Sequence, residues 1–259
     1  MHRQYGENMK NIFLNLVVLF VTSFGLAHGS GEARITIEPE GSGHYQAGQL
    51  EYAFQIFDAV ANRSLTDSDI IESHTKKIHF IAYDAALKEF THVHPEFDGK
   101  MWKVILNLPV DGNYFLWAQG ELLDQTEFSA MTNAMIMGGK SENNIVALGD
   151  VRTGVDKQTK IVLSNTKIKA GQMAMIDFVI SRTDGKAPVL TPYLGAFAHV
   201  IATPMDGDQL THVHPMAGSK PSTGMLHTTF PDAGDYRIWI QFIDGGELKV
   251  IQLSVTVSK

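Results

Sequence analysis

Thr91-His92-Val93-His94-Pro95 is a pentapeptide that this chain contains twice, since the same five residues return as Thr211-His212-Val213-His214-Pro215. A further histidine precedes each copy at the same interval: His79 lies thirteen residues before His92, and His199 thirteen residues before His212. Duplication explains five identical residues, a shared upstream histidine and equal spacing better than chance does. The sequence therefore predicts a duplicated domain with one potential site in each copy.

Matches outside the pentapeptide extend the repeat across most of both copies. A repeat of this length that contains its own strands is typical of tandem domains and not of a solenoid unit. The matched pairs are Ala47-Gly48-Gln49 with Ala170-Gly171-Gln172, Pro109 to Tyr114 with Pro231 to Tyr236, Trp117 with Trp239, and Gln119 with Gln241.

Short alternating apolar and polar runs, separated by turn residues, predict an all-β chain. In the first copy these runs are 35–37, 50–56, 78–83, 90–94, 102–108 and 114–119. The Gly-Asp/Asn-Tyr turns before Tyr114 and Tyr236 resemble the tyrosine corner of immunoglobulin-like sandwiches, in which the hydroxyl bonds to nearby backbone. We expect two tandem immunoglobulin-like (cupredoxin-like) Greek-key β-sandwiches, with Trp117 and Trp239 as packing residues.

The predicted domain boundaries are a signal peptide at 1–27, domain 1 at 33–129, a linker at 130–144 and domain 2 at 145–259. The linker is polar, contains glycine and has no counterpart elsewhere in the chain. Met131, Met135 and Met137 lie in it. Their thioethers are either soft ligands for Cu(I) or fillers of apolar gaps at the domain junction.

The first 27 residues are typical of an export signal. Basic residues precede an apolar run from Ile12 to Leu26, and small residues end at Ala27. The run is short for a membrane span, and we expect no span after cleavage. The alternative is an uncleaved membrane anchor. Met9 offers a second start site, and cleavage after Ala27 would make His28 an amino-terminal copper chelator. These features predict a periplasmic or secreted protein.

Composition excludes several classes of function. The chain contains no cysteine, so disulfides, thiolate metal sites and cysteine nucleophiles are absent. A blue-copper site of the usual type is excluded for the same reason. The net charge of −7 argues against binding to nucleic acid through a basic surface. Histidine, methionine and carboxylate side chains remain as metal ligands.

The spacing of the histidines places three imidazoles on one face of a hairpin in each copy. Alternate residues of a strand share a face, so His92 and His94 project the same way. In the second copy a two-residue turn at Asp206-Gly207, within Met205 to Asp208, sets His199 opposite His214 and diagonal to His212. The candidate metal ligands are therefore His79, His92, His94, His199, His212 and His214.

Neutral imidazoles suit Cu(II), Zn(II) or Ni(II), and three of them leave one coordination position open. The alternative is that these histidines only stabilise the hairpin through hydrogen bonds. Three residues of the second copy have no histidine or methionine counterpart in the first: Met205, Met216 and His227. The position equivalent to Met216 is Glu96 in the first copy. The two sites are thus expected to differ in their ligands.

The Thr-His-Val-His-Pro core, the upstream histidine and the Pro-x-x-Gly-x-Tyr-x-x-Trp-x-Gln tail resemble exported bacterial proteins of the YtkA-like, immunoglobulin- or cupredoxin-like kind. This resemblance implies a β-sandwich and a role in copper handling. It covers most of both domains through a small number of residues.

The leading hypothesis is an exported metal-binding protein that sequesters or delivers copper, or zinc, through a three-histidine site in each repeat. Its expected partners are the metal ion and another exported metal-handling protein. One alternative is an extracytoplasmic protein–protein interaction module with structural histidines. A metalloenzyme is the other, and the absence of an accompanying general-base or nucleophile motif argues against it.

Overall fold

A computed structural model describes residues 33–73, 75–141, 147–213 and 215–259. The predicted signal peptide, with His28, and the histidines at positions 74 and 214 lie outside these ranges. No helix within the described ranges has the length and apolar character that crossing a membrane requires.

Domain 1 is a sandwich of two β-sheets. One sheet has the order β1-β3-β9-β8 with β4 beside β3, and the other has the order β2-β11-β10-β6-β7 with β5 beside β10. The strands are β1 (Ile35–Pro39), β2 (His44–Gln46), β3 (Gly48–Asp58), β4 (Arg63–Leu65), β5 (Ile70–Ile71), β6 (Ile78–Asp84), β7 (Phe90–Val93), β8 (Glu96–Phe97), β9 (Trp102–Leu108), β10 (Gly112–Leu122) and β11 (Glu127–Met137).

Domain 2 repeats this plan with the sheets β12-β13-β15-β20-β19 and β14-β22-β21-β17-β18, the latter with β16 beside β21. Its strands are β12 (Thr153–Asp156), β13 (Thr159–Leu163), β14 (Ile168–Lys169), β15 (Met173–Arg182), β16 (Leu190–Thr191), β17 (His199–Pro204), β18 (Thr211–Val213), β19 (Met216–Ala217), β20 (Thr223–Thr229), β21 (Gly234–Asp244) and β22 (Glu247–Ser258).

The chain passes repeatedly from one sheet to the other in each domain, as in an immunoglobulin-type sandwich. Inward-facing residues of both sheets form a separate apolar core in each domain. The predicted all-β fold of two tandem immunoglobulin-like sandwiches is therefore confirmed.

The tyrosine corners form as predicted. The Tyr114 hydroxyl accepts a hydrogen bond from the Val110 backbone N–H at 3.3 Å. The Tyr236 hydroxyl donates to the Asp232 carbonyl at 3.1 Å. Each bond ties the start of a long strand to the turn before it.

The predicted linker differs from the structure over its first half. Strand β11 extends to Met137, because Ala130, Ala134 and Ile136 alternate inward and are buried. Thr132 and Asn133 make this stretch look polar, and the small inward alanines give only a weak signal of its period of two. The outward residues Met131 and Met135 are 37% and 39% exposed, so they do not fill an apolar gap.

The two domains pack against each other through the sheets that contain β6 and β10 in domain 1 and β17 and β21 in domain 2. We call the cluster they form the interdomain core, and its members are Ile81, Tyr83, Leu87, Trp117, Leu148, Ile201, Leu210 and Trp239. Every residue of β6 is buried, since one face packs in its own domain and the other in the interdomain core.

Aromatic rings and a short polar chain fix this contact. Trp239 stacks on Phe90 with ring centroids 4.7 Å apart. The Trp117 indole N–H donates to the Tyr83 hydroxyl at 2.8 Å, and that hydroxyl donates to the Gly207 carbonyl at 2.9 Å. Buried polar atoms of domain 1 are thus satisfied by backbone of domain 2.

The predicted turn at Asp206-Gly207 is displaced. The Gly207 N–H donates to the Pro204 carbonyl at 3.0 Å, and β17 ends at Pro204. A Cβ atom on Gly207 would lie 2.5 Å from the Phe115 ring. Contact with domain 1 therefore determines the position of this turn, and the two-residue turn expected from the sequence does not form.

Candidate metal centre between the domains

The strand register places the motif histidines on the face that was expected. In domain 1, Ile81 pairs with His92 on β7, so His92 shares a face with His79, two residues before Ile81 on β6. In domain 2, Ile201 pairs with His212, which sets His199 and His212 on one face in the same way. The predicted register is confirmed for these pairs.

These two faces meet at the domain interface. The ring centroid of His79 lies 5.1 Å from that of His212, and the His92 ring lies 5.6 Å from the His199 ring. The histidines thus form one cluster, and the expectation of two separate sites does not match this arrangement. The interface brings the sites together because Ile81, Trp117, Ile201 and Trp239 share the same faces.

We call this cluster the histidine centre: His79, His92, His94, His199 and His212. Within it, two groups of three have ligand nitrogens that all lie within 4.8 Å of one another. One group is His79, His92 and His94 of domain 1, and the other is His79, His199 and His212, which spans the interface. All are buried except the half-buried His94. Each group can hold a metal ion.

A glutamine of the opposite domain orients one histidine in each motif. His92 Nδ1 lies 2.8 Å from the Gln241 Oε1 atom, and His212 Nδ1 lies 3.1 Å from the Gln119 Oε1 atom. Because an amide oxygen only accepts, each imidazole donates its Nδ1–H. The Gln119 amide group donates in turn to the Ser129 hydroxyl at 3.0 Å, which fixes its orientation.

These bonds aim the Nε2 lone pairs of both histidines into the centre. His212 Nε2 lies 3.3 Å from His199 Nδ1. His199 Nε2 lies 3.0 Å from the Tyr193 carbonyl oxygen, so it donates its own proton there. In their neutral forms the two rings therefore present two lone pairs to each other.

The distance between these two nitrogens is close to the distance between two nitrogen ligands of one metal ion. Two nitrogens bound at about 2.0–2.1 Å to one tetrahedral ion lie about 3.3–3.4 Å apart. His79 Nδ1 and His92 Nε2 are 3.0 Å apart in domain 1. Both pairs need only small rotamer changes to bind one cation between them. The buried Nε2 atom of His94 has no hydrogen-bond partner among the described residues.

Burial keeps the imidazoles of His92 and His94 neutral. It lowers the pKa of His94 to about 4, with Lys76 and His199 acting in the same direction. It also holds the pKa of His92 well below its usual value, and His79 and His94 add to the effect. Neutral imidazole is the form that binds metal, so these rings are ready for it at neutral pH.

His94 also forms part of the wall of a surface cleft of about 410 Å³ in domain 1. Glu51, Glu96 and Asp98 line the same cleft together with Lys103. A cleft whose walls carry three carboxylates and one ammonium group attracts cations. His94 is the residue of the histidine centre that lines this cleft.

The sequence identified the histidines but not the glutamines that form hydrogen bonds to them. Gln119 and Gln241 were matched in the repeat, but nothing in the sequence showed that each would reach across to the other domain. Their shared face with Trp117 and Trp239 in an alternating strand is the signal that could have found them. Met216 and His227 belong to the other sheet of domain 2.

Comparisons with known proteins concern the fold. Residues 153–259, which contain β12 to β22, match a domain of unknown function (DUF8832). No curated protein sequence matches the chain.

The similar solved structures include fibronectin-like modules. Those of Clostridium thermocellum CbhA are 13% identical with a TM-score of 0.24, and the match covers 86% of this chain and 94% of that one. A two-domain fibronectin type III segment of chicken tenascin is 12% identical with a TM-score of 0.26, covering 85% and 97%. With scores this low, the fold assignment rests on the strand order of this chain.

Proposed function

We propose that this chain is an exported metal-binding protein that holds a transition-metal ion, copper or zinc, in the histidine centre between its domains. Its role would be to sequester or deliver copper. The observation that carries this proposal is the grouping of largely buried imidazoles, whose ligand nitrogens lie within 4.8 Å of one another in two groups of three.

A metal ion suits this cluster better than a proton does. Protonation of one ring would leave a charged imidazolium in a desolvated site. A metal ion bound by several imidazoles makes up for lost hydration through its coordination bonds. Gln119 and Gln241 supply the outer hydrogen bonds that metal-binding histidines need.

The centre supports one ion among the described residues. Both triads draw on His79, and a neutral imidazole has one lone pair in its ring plane for a metal. Occupying one triad therefore removes a ligand from the other. We expect one equivalent of tightly bound metal, where two independent repeats would bind two.

Copper is favoured by the resemblance of the repeated motif to YtkA-like proteins and by the affinity order of divalent metals for nitrogen ligands. The signal-like features of residues 1–27 support export to the periplasm or out of the cell. A partner that takes up or supplies the ion would be another exported metal-handling protein.

A second candidate function is a protein–protein interaction module in which the histidines are structural. The reciprocal bonds from His92 to Gln241 and from His212 to Gln119 favour it, since they join the domains without a metal. In that case the centre would only pin the interface.

Metal titration separates the two candidates. Untagged protein comprising residues 28–259 would be titrated with Cu(II) and with Zn(II) by calorimetry, and the metal content would be measured after desalting. We expect saturation near one equivalent. Absence of binding at micromolar metal would overturn the metal-binding function and leave the interaction module.

The ligands are tested by His79→Gln, which removes the histidine that both triads share. We expect the affinity to fall at least 100-fold, because neither triad then has its three ligands. His44→Gln is the matched control, since His44 is an exposed histidine on β2 that takes no part in the centre. Far-ultraviolet circular dichroism would verify that each variant is folded.

A further inference from the structure

The solvent face of the β12-β13-β15-β20-β19 sheet of domain 2 carries an unusual set of side chains. It displays four methionines and one histidine: Met173, Met175, Met216, Met225 and His227. Met175, Met173 and Met216 are 57%, 47% and 41% exposed. Exposed methionines gathered on one face are informative, because single exposed apolar residues are common and groups of them are not.

The strand register brings four of these side chains together. Met175 on β15 pairs directly with His227 on β20, and Met216 on β19 pairs directly with Met225 on β20. Directly paired residues have Cβ atoms about 4.5–5.5 Å apart. Met225 and His227 are two positions apart on β20 and share a face, about 6.6 Å along the strand. Met175, His227, Met225 and Met216 are thus successive neighbours across three strands, and the exposed Asp177 lies beside Met225 on β15.

The equivalent face of domain 1 shows that the fold does not require these residues. There Glu51 pairs with Ile105, and Glu96 pairs with Lys103. The Lys103 ammonium group lies 3.0 Å from Asp98 and 3.6 Å from Glu51. The same positions of one architecture carry charges in domain 1 and sulfur in domain 2.

The chemistry of this set points to a soft cation. Thioether sulfur prefers Cu(I), and imidazole also binds copper. Methionine has three rotatable side-chain bonds, so the thioethers can close on an ion from Cβ atoms that stand several ångströms apart. We propose that Met175, Met216, Met225 and His227 form a surface site for a soft monovalent cation, Cu(I).

This thioether site is separate from the histidine centre in position and in chemistry. It lies on the sheet of domain 2 that does not contain His199 and His212. The nitrogen-only centre suits Cu(II) or Zn(II), whereas the thioether site suits Cu(I). The two sites can therefore be tested independently, and failure of one leaves the other standing.

The test uses Ag(I) as a soft probe that does not change oxidation state in the titration. The full chain would be labelled with ¹³C at the methionine methyl groups, and its spectra would be recorded as Ag(I) is added. We expect the signals of Met175, Met216 and Met225 to shift together and to saturate near one equivalent. Met131 and Met205, which are 37% and 36% exposed, serve as internal references and should not shift in that range.

Variants then measure the affinity. Met175→Leu combined with Met225→Leu keeps the apolar surface and removes two sulfur atoms, so we expect Ag(I) and Cu(I) to bind at least 10-fold more weakly. Met131→Leu combined with Met205→Leu is the matched control and should leave the affinity unchanged. Equal shifts of all exposed methionines, or equal affinity in both double variants, would overturn the proposal.

A variant of the histidine centre keeps the two sites distinct. In the protein with His92 and His94 replaced by glutamine, the methionine signals should shift with Ag(I) as in the unmodified protein. Loss of those shifts in this variant would show that the metal reaches the methionines only through the histidine centre. That result would also overturn a separate thioether site.

Discussion

The two domains are alike where they face each other and unlike where they face solvent. On the inner faces, His79, Trp117 and Gln119 of domain 1 correspond to His199, Trp239 and Gln241 of domain 2. On the outer faces, the salt-bridged Lys103 of domain 1 corresponds to Met225 of domain 2. The two domains thus have the same fold and similar inner faces, but their outer faces carry different residues.

The inner faces constrain each other because they are a single buried structure. A change in Gln119 affects a histidine of domain 2, and a change in Gln241 affects a histidine of domain 1. The outer faces meet no partner in the described chain and can differ without a packing penalty. The comparison therefore separates the residues that assemble the molecule from those that give each domain its own chemistry.

The strongest test of the inner faces is Trp239→Ala. Trp239 is completely buried and stacks on Phe90 and Tyr83 of the other domain, at 4.7 and 5.4 Å between centroids. We expect the free energy of unfolding in urea to fall by about 3–5 kcal/mol. Leu123→Ala, at a 66% exposed residue, should change it by less than about 0.5 kcal/mol. Similar small losses in both variants would mean that the interdomain core contributes little stability.

The reciprocity of the glutamines is tested by Gln119→Leu and Gln241→Leu. Each removes the acceptor that orients a histidine of the other domain, so we expect each to weaken metal binding about 10- to 100-fold. Titration of the two variants should give similar losses, and Gln172→Leu at an exposed turn should give none. A loss in only one of the two would show that the centre depends on one domain more than the other.

Acid should destabilise the metal-free protein. In the unfolded chain His92 and His94 take up protons near pH 6.5, whereas in the folded chain the pKa of His94 is about 4 and that of His92 is also lowered. The unfolded state therefore binds more protons between these values. Stability should be complete above about pH 6.5 and decrease as the pH falls toward about 4.

Melting temperatures recorded across this range would measure the effect. Burial is the main cause of both lowered pKa values. The charged or titratable groups that contribute are Lys76, His79, His94 and His199. The protein with His92 and His94 replaced by glutamine should lose less stability on acidification, and His44→Gln should behave like the unmodified chain. Parallel curves for all three proteins would contradict the prediction.

The smallest effect is expected on the outer face of domain 1. Lys103→Met introduces the residue that domain 2 has at the equivalent position and breaks contacts with Asp98 and Glu51. Because these ion pairs are partly exposed, the free energy of unfolding should change by less than about 1 kcal/mol. A larger loss in urea denaturation would show that the outer faces are not interchangeable.

Local patterns were sufficient to predict the sandwich and the geometry within each hairpin. Alternation in runs such as 78–83 and 102–108 identified strands, and the spacing from His79 to His92 fixed their shared face. The tyrosine corners at Tyr114 and Tyr236 were readable because they depend on residues close in sequence.

The relation between the domains was not readable in the same way. Nothing in the sequence distinguishes a face that meets solvent from one that meets another domain, so the two triads were expected to stand apart. The sequence did not predict strand β11 beyond residue 129, because its inward residues Ala130 and Ala134 are too small to give a clear apolar alternation. The turn at Gly207 moved because its carbonyl accepts a bond from Tyr83, 124 residues away.

The bond between His92 and Gln241 spans 149 positions of the chain. During synthesis, His92 emerges from the ribosome long before the glutamine that will orient it, and Gln241 lies in the last long hairpin to be made. The complete centre can exist only after the whole chain has been made and both halves have folded and docked. A chain that ends before His199 would keep the triad of domain 1 and lack the triad that spans the interface. Ion capture by the interface triad would therefore report that both halves of the molecule are present.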